Sequence, residues 1–221
     1  VSGAVAAVPA PAESRSPRRA TLARGVLTAG AAVLGIAASA LAFSAVWPGG
    51  SAAPAPQPEP QRLSPNGAAA ARAVVARAQR LVTVAPADLG YTLRIAGPVP
   101  GLRGQTDTAA HTITLFVGPS DTPNVVAHDL GHELGHAFDA RRLTDAQRAA
   151  YLRTRGAPQA RWFPGPKTSD YRSGAGDFAE VFALCHASSP VYRSRLAARP
   201  QDPCGALPKE ARAAKLAEGG S

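Results

Sequence analysis

The sequence predicts one α+β domain preceded by a single membrane-spanning helix. Three observations predict it. Residues 25–47 form a run of 23 residues without a charge. Residues 91–117 carry short segments rich in Thr, Ile, Leu and Val, separated by turn residues. From residue 121 onward, apolar residues recur at helical spacing behind capping residues. At 221 residues the chain suffices for one ordinary domain plus appendages.

The N-terminal elements come first. Residues 1–24 hold Arg15, Arg18, Arg19 and Arg24 against the single acid Glu13, which predicts a weakly structured basic tail on the cytoplasmic side. The run that follows, GVLTAGAAVLGIAASALAFSAVW, rises about 1.5 Å per residue as a helix and is long enough for a hydrocarbon core of roughly 30 Å. Trp47 closes it where an interfacial aromatic helps. No Lys or Arg follows until Arg62, so the positive-inside rule places the rest of the chain outside. The run is apolar all round, which argues against a buried core helix. The alternative is a cleaved signal peptide, with small residues such as Ala40, Ala42 and Ala53 at candidate cleavage sites. The run exceeds the usual apolar length of about 7–15 residues, which favours an anchor. Both readings export the remainder. Residues 48–62 form a Pro/Ala-rich spacer. The exported domain is residues 63–221.

Within that domain the expected order is helix, strands, then helices. A helix covers Pro65–Val82, with Ala and Val interleaved by Arg72, Arg77 and Arg80. Strands are expected at Tyr91–Ile95, Gly101–Gln105 and His111–Val117, the last two joined by a turn at Thr106–Ala110 in a mostly antiparallel sheet. Asp121 or Thr122 caps a helix that has Pro123 in its first turn and runs to Arg142. Thr144–Arg153 and Ala175–His186 read as further helices, and Arg193–Ala198 and Pro208–Leu216 as shorter ones.

The formal net charge is +9. A basic chain raises the question of nucleic acid, but the arginines are spread out and no helix-turn-helix, finger or RNA-binding signature accompanies them, so no nucleic-acid partner is expected. Oligomeric state is not legible. Cys185 and Cys204 can bridge, form half a metal site or stay free. In an exported domain a disulfide is the preferred reading, and without a Cys-x-x-Cys pair a cysteine-ligated metal is disfavoured.

The chemistry concentrates in His128-Asp129-Leu130-Gly131-His132-Glu133-Leu134-Gly135-His136. Three of the five histidines lie in this stretch. Residues four apart share a helix face, so His132 and His136 can present ring nitrogens to one Zn²⁺ at about 2.0–2.1 Å. Glu133, one residue past the first ligand, is placed to act as general base on a metal-activated water. His128 with His132 forms a rival pair, with Asp129 as a shorter base. All three rings cannot share an ion, because the outer two lie about 12 Å apart along the axis. The pair His132/His136 is preferred, because Glu133 reaches farther than Asp129. His128 is then a surface or supporting histidine, or a substrate contact. A third ligand is required, and the helix containing Asp177 and Glu180 is its expected source, one binding metal while the other fixes a histidine.

HELGHAFD, followed in the next long helix by DFAEVFA, resembles the gluzincin-type zincin metallopeptidases, and within them the branch that contains the anthrax lethal factor catalytic domain. The resemblance spans roughly residues 112–186. It implies a zincin-like fold with an active-site helix, a bound zinc, and hydrolysis of a protein or peptide substrate. In that branch the second helix commonly reads Glu-x-Phe-Ala-Glu. The supporting Glu then falls on Glu180, but the ligand Glu falls on Gly176. That departure leaves Asp177 or Glu180 to supply the third ligand; the alternatives to a peptidase are a zinc-binding zincin-like protein without catalysis, which Gly176 at the expected ligand position motivates, and a non-enzymatic cell-envelope interaction module. The resemblance also implies an oxyanion-stabilising tyrosine upstream, and Tyr171 occupies a comparable place.

Overall fold

The computed structural model describes residues 59–213, apart from Lys167, Ser188 and Ser189. The expected tail, membrane span and most of the spacer lie outside these residues. Among the described residues, no helix is long and apolar enough to cross a membrane.

Helix α1 (Pro65–Gln79) starts at Ser64, whose hydroxyl accepts from the Gly67 amide at 3.1 Å, and it buries Ala71, Val75 and Ala78. A 3-10 turn at Pro86–Leu89 leads into strand β1 (Thr92–Ala96). Strand β2 (Gly104–Asp107) and strand β3 (Thr112–Phe116) form a hairpin. The sheet is mixed rather than mostly antiparallel. Its order is β1-β3-β2, with β1 parallel and β2 antiparallel to β3. β3 takes the centre because it is the most apolar strand, burying Ile113, Leu115 and Phe116. Thr106, expected in the turn, instead belongs to β2 and is buried.

Helix α2 (Pro123–Arg142) is capped by the Thr122 hydroxyl, and every residue from Val126 to Asp139 is buried. It is therefore a central helix, with α1, the sheet and α4 packed around it. Helix α3 (Asp145–Thr154) begins with a capping box between Thr144 and Gln147. A 3-10 turn at Asp170–Arg172 leads directly into helix α4 (Gly174–His186), whose N-cap is Ser173. Phe138, Phe178 and Phe182 pack together where α2 and α4 cross, with ring centroids 5.6–6.2 Å apart. Short helices α5 (Pro203–Ala206) and α6 (Lys209–Arg212) are the last elements among the described residues, and the disulfide Cys185–Cys204 ties α4 to α5.

The segment expected to be helical at Arg193–Ala198 is not a helix. Its amides are committed elsewhere: Arg193 N donates to Glu180, Arg195 N to the Tyr171 carbonyl at 2.7 Å, and Leu196 N to the Ser194 hydroxyl at 3.2 Å. Amides spent on such anchors cannot close i→i−4 bonds.

Candidate metal centre

Two adjacent turns of α2 present His132 and His136, and the 3-10 turn before α4 presents Asp170. These three residues are buried and form a group able to hold a metal ion. The Nε2 atoms of His132 and His136 lie 3.2 Å apart. Oδ2 of Asp170 lies 3.3 Å from each of them. The ligand atoms thus form a nearly equilateral triangle. Four donors placed tetrahedrally at about 2.0–2.1 Å from zinc are separated by about 3.3–3.4 Å, so the triangle has the size of one tetrahedral face.

Proton placement supports the fit. Nδ1 of His132 donates to Oε1 of Glu180 at 2.9 Å, which leaves its Nε2 as a lone pair directed at the triangle in the neutral ring. Oδ2 of Asp170 is buried and accepts no hydrogen bond among the described residues. Electron-pair donors converging in a dry interior repel one another unless a cation lies between them. The same logic governs the titration. Burial alone would lower the His132 pKa, but Asp170 and Glu180 override it and hold the ring well above its ordinary value. His136 is likewise raised, burial again being outweighed by Asp170. Burial would raise the Asp170 carboxyl, yet His136 and His132 hold it far below the usual carboxylate range.

Glu133 sits beside this triangle, buried at 2 % exposure. Thr106 of β2 donates to its Oε2 at 2.8 Å. Burial raises its carboxyl above the ordinary value, against the pull of His132 and His136. The neighbouring strand residue is Gly104, and a Cβ there would lie 2.6 Å from Oε1 of Glu133. The carboxylate therefore lies directly against the β2 backbone. The Tyr171 ring stands edge-on to His132, centroids 5.5 Å apart, and burial raises its phenol.

The third ligand position is where structure and expectation part. Glu180 does not enter the triangle. Its Oε1 receives both His132 Nδ1 and His128 Nε2, the latter at 3.2 Å, and its Oε2 receives the Arg193 amide. It orients His132, the supporting role expected for one of the two helix carboxylates. Asp177 points elsewhere and accepts from Tyr151 (2.7 Å), Arg155 (2.8 Å), Tyr192 (2.9 Å) and Ser194 (2.6 Å). Its charge is spent tying α3 and the 191–198 segment to α4. His128 is fully buried, not at the surface, and supports Glu180.

Asp170 takes the place expected for a helix residue, and Gly176 admits it. A Cβ at position 176 would lie 2.5 Å from Oδ2 of Asp170. The glycine at the expected ligand position was the available signal, because it marks a volume that some other side chain must fill. Helix periodicity points forward to Asp177 and is silent about a residue in the preceding turn.

No protein-family model, no curated protein and no solved structure matches the chain. The functional reading therefore rests on the geometry and chemistry of these residues.

Proposed function

We propose that this chain is a zinc-dependent peptidase of zincin type that hydrolyses a protein or peptide substrate. One observation carries the reading: three buried donors from His132, His136 and Asp170, spaced 3.2–3.3 Å, with the buried Glu133 carboxylate in electrostatic contact with all three. Two nitrogens and one carboxylate oxygen suit zinc, and three protein ligands leave a fourth position open for chemistry. A zinc ion held by His132, His136 and Asp170 would make water nucleophilic near neutral pH and polarise a carbonyl oxygen. Glu133 takes the proton from the attacking water and hands it to the departing amine. Thr106 holds the carboxylate in register through its hydroxyl. Glu180 fixes the His132 tautomer, and Tyr171 supplies a phenol for developing negative charge on the substrate oxygen.

The charged N-terminal flank, the uncharged 25–47 run and the disulfide support an exported domain tethered to the membrane.

The test is metal content and turnover of purified protein. Wild type and Glu133→Gln should each hold one zinc per chain, while His136→Ala and Asp170→Asn should not. Cleavage of a mixed peptide library should fall by about 10²–10⁴-fold in Glu133→Gln. A wild-type protein that holds no zinc after zinc dialysis, or a Glu133→Gln variant with wild-type turnover, overturns the reading.

A further inference from the structure

A pocket of about 300 Å³ lies against the turn that carries Asp170. Arg161, Phe163, Pro164, Thr168, Arg172 and Ser173 line it. Its position relative to the centre follows from Ser173. Ser173 is one of the pocket's lining residues, and the Ser173 hydroxyl donates to the Asp170 carbonyl at 2.8 Å and lies 3.2 Å from Asp170 Oδ1. The wall and the metal-facing carboxylate therefore belong to one hydrogen-bonded turn. The 161–162 segment is pinned alongside, because Gly174 N donates to the Arg161 carbonyl at 2.9 Å and Ala175 N to the Trp162 carbonyl at 2.8 Å.

The charge of this pocket is one-sided. Among the described residues, the arginine ion pairs belong to Arg103, Arg148, Arg155 and Arg193. Arg161 and Arg172 are exposed and take part in none of them, and no Asp or Glu is among the lining residues. The first turn of α4 also points its positive end this way, although its leading amides are already bonded to Arg161, Trp162 and Ser173. Arg161 and Arg172, in a lining that also holds Phe163 and Pro164, suit a carboxylate on a short aliphatic stem.

We propose that this pocket is a subsite for a carboxylate of the peptide substrate, read by Arg161 and Arg172, so that the enzyme prefers acidic peptides. The proposal rests on the peptidase reading above. Ser173 belongs both to the pocket lining and to the hydrogen-bonded turn of Asp170, so the group the pocket receives lies close to the scissile bond. An Asp or Glu side chain and a free chain terminus offer the same carboxylate, and the assay separates them.

The experiment uses dye-labelled octapeptides that carry a single Glu, Gln or Lys at each position in turn, each with a free or an amidated C-terminus. Binding to zinc-loaded Glu133→Gln protein is read by fluorescence anisotropy, and cleavage by wild type is read separately. Glu peptides should bind at least 10-fold tighter than their Gln counterparts, with the preference weakening as salt rises. In the Arg161→Gln/Arg172→Gln background the Glu-over-Gln ratio should fall to within about 2-fold, and the Arg161→Lys/Arg172→Lys pair should retain most of it. A preference that follows the free terminus instead of the Glu position assigns the same pocket to the chain end. Equal binding of Glu and Gln peptides, or a ratio that survives removal of both arginines, overturns the subsite. If the ratio behaves as expected but wild type cleaves nothing, the subsite stands and the peptidase reading fails.

Discussion

Gly176 and Asp170 share one volume, and that sharing decides which carboxylate joins His132 and His136 in the buried triangle. A Cβ at 176 would meet Asp170 Oδ2 at 2.5 Å and also press on the Asp170 carbonyl, which is rigid backbone. Gly176→Ala should therefore push the turn outward and lower zinc affinity by about 10–100-fold, the scale on which misplaced supporting groups act. Chelator competition measures it, and wild-type affinity in this variant would mean that Asp170 is not a ligand. The same reasoning identifies Glu180 as an orienting group, because both its oxygens are already occupied by His132, His128 and Arg193.

At the scale of elements, the site depends on how closely α4 approaches α2. Gly135 faces Ala179, where an added Cβ would lie 2.6 Å from the Ala179 Cα, and Gly131 faces Ala183 with a corresponding gap of 3.1 Å. Small residues on both helices let the backbones close up, and that brings Glu180 within 2.9 Å of His132. Gly135→Ala must force the helices apart. The expected cost is about 1–3 kcal/mol of stability. Urea unfolding in excess chelator reads that cost without any metal contribution, and unchanged stability would show that the helices have room to adjust. The disulfide bears on the same pair of elements from the far end: its cysteines are 19 residues apart, and it anchors the α4 C-terminus to α5.

Across the whole molecule, one buried histidine couples stability to pH independently of the metal centre. His186 donates from Nε2 to the Ala211 carbonyl at 2.7 Å and accepts at Nδ1 from the Thr83 hydroxyl at 2.8 Å, so it is neutral and joins α4 to α6 and to the segment after α1. The Phe182 ring packs on it at 4.3 Å. Burial lowers its pKa, only partly offset by the Ala211 carbonyl. The unfolded chain thus takes up the proton first, near pH ~6.5, so the stability associated with neutral His186 is complete above that pH and is lost as pH falls toward the folded pKa. Wild type should therefore lose more stability than His186→Gln between about pH 7.5 and 5. Protons taken up at the metal centre enter both proteins alike, and equal losses would remove His186 from the account.

The sequence by itself determined the local features. Asp121 or Thr122 ahead of Pro123 starts α2, Thr144 starts α3, and the four-residue spacing places His132 and His136 on one face with Glu133 next in the chain; all of this depends on neighbours in the chain. The two cysteines were legible as a pair for the same kind of reason, since they are the only two. The long-range choices were not legible. That β3 lies at the centre of a mixed sheet, that Arg193–Ala198 spends its amides on anchors, that Asp177 is consumed by Tyr151, Arg155, Tyr192 and Ser194, and that Asp170 enters the space left by Gly176 were decided only by tertiary structure. The physical reason is that periodicity reports which residues share a face of one element. It carries no information about which distant donor neutralises a buried carboxylate, or which side chain fills a volume that a glycine leaves open.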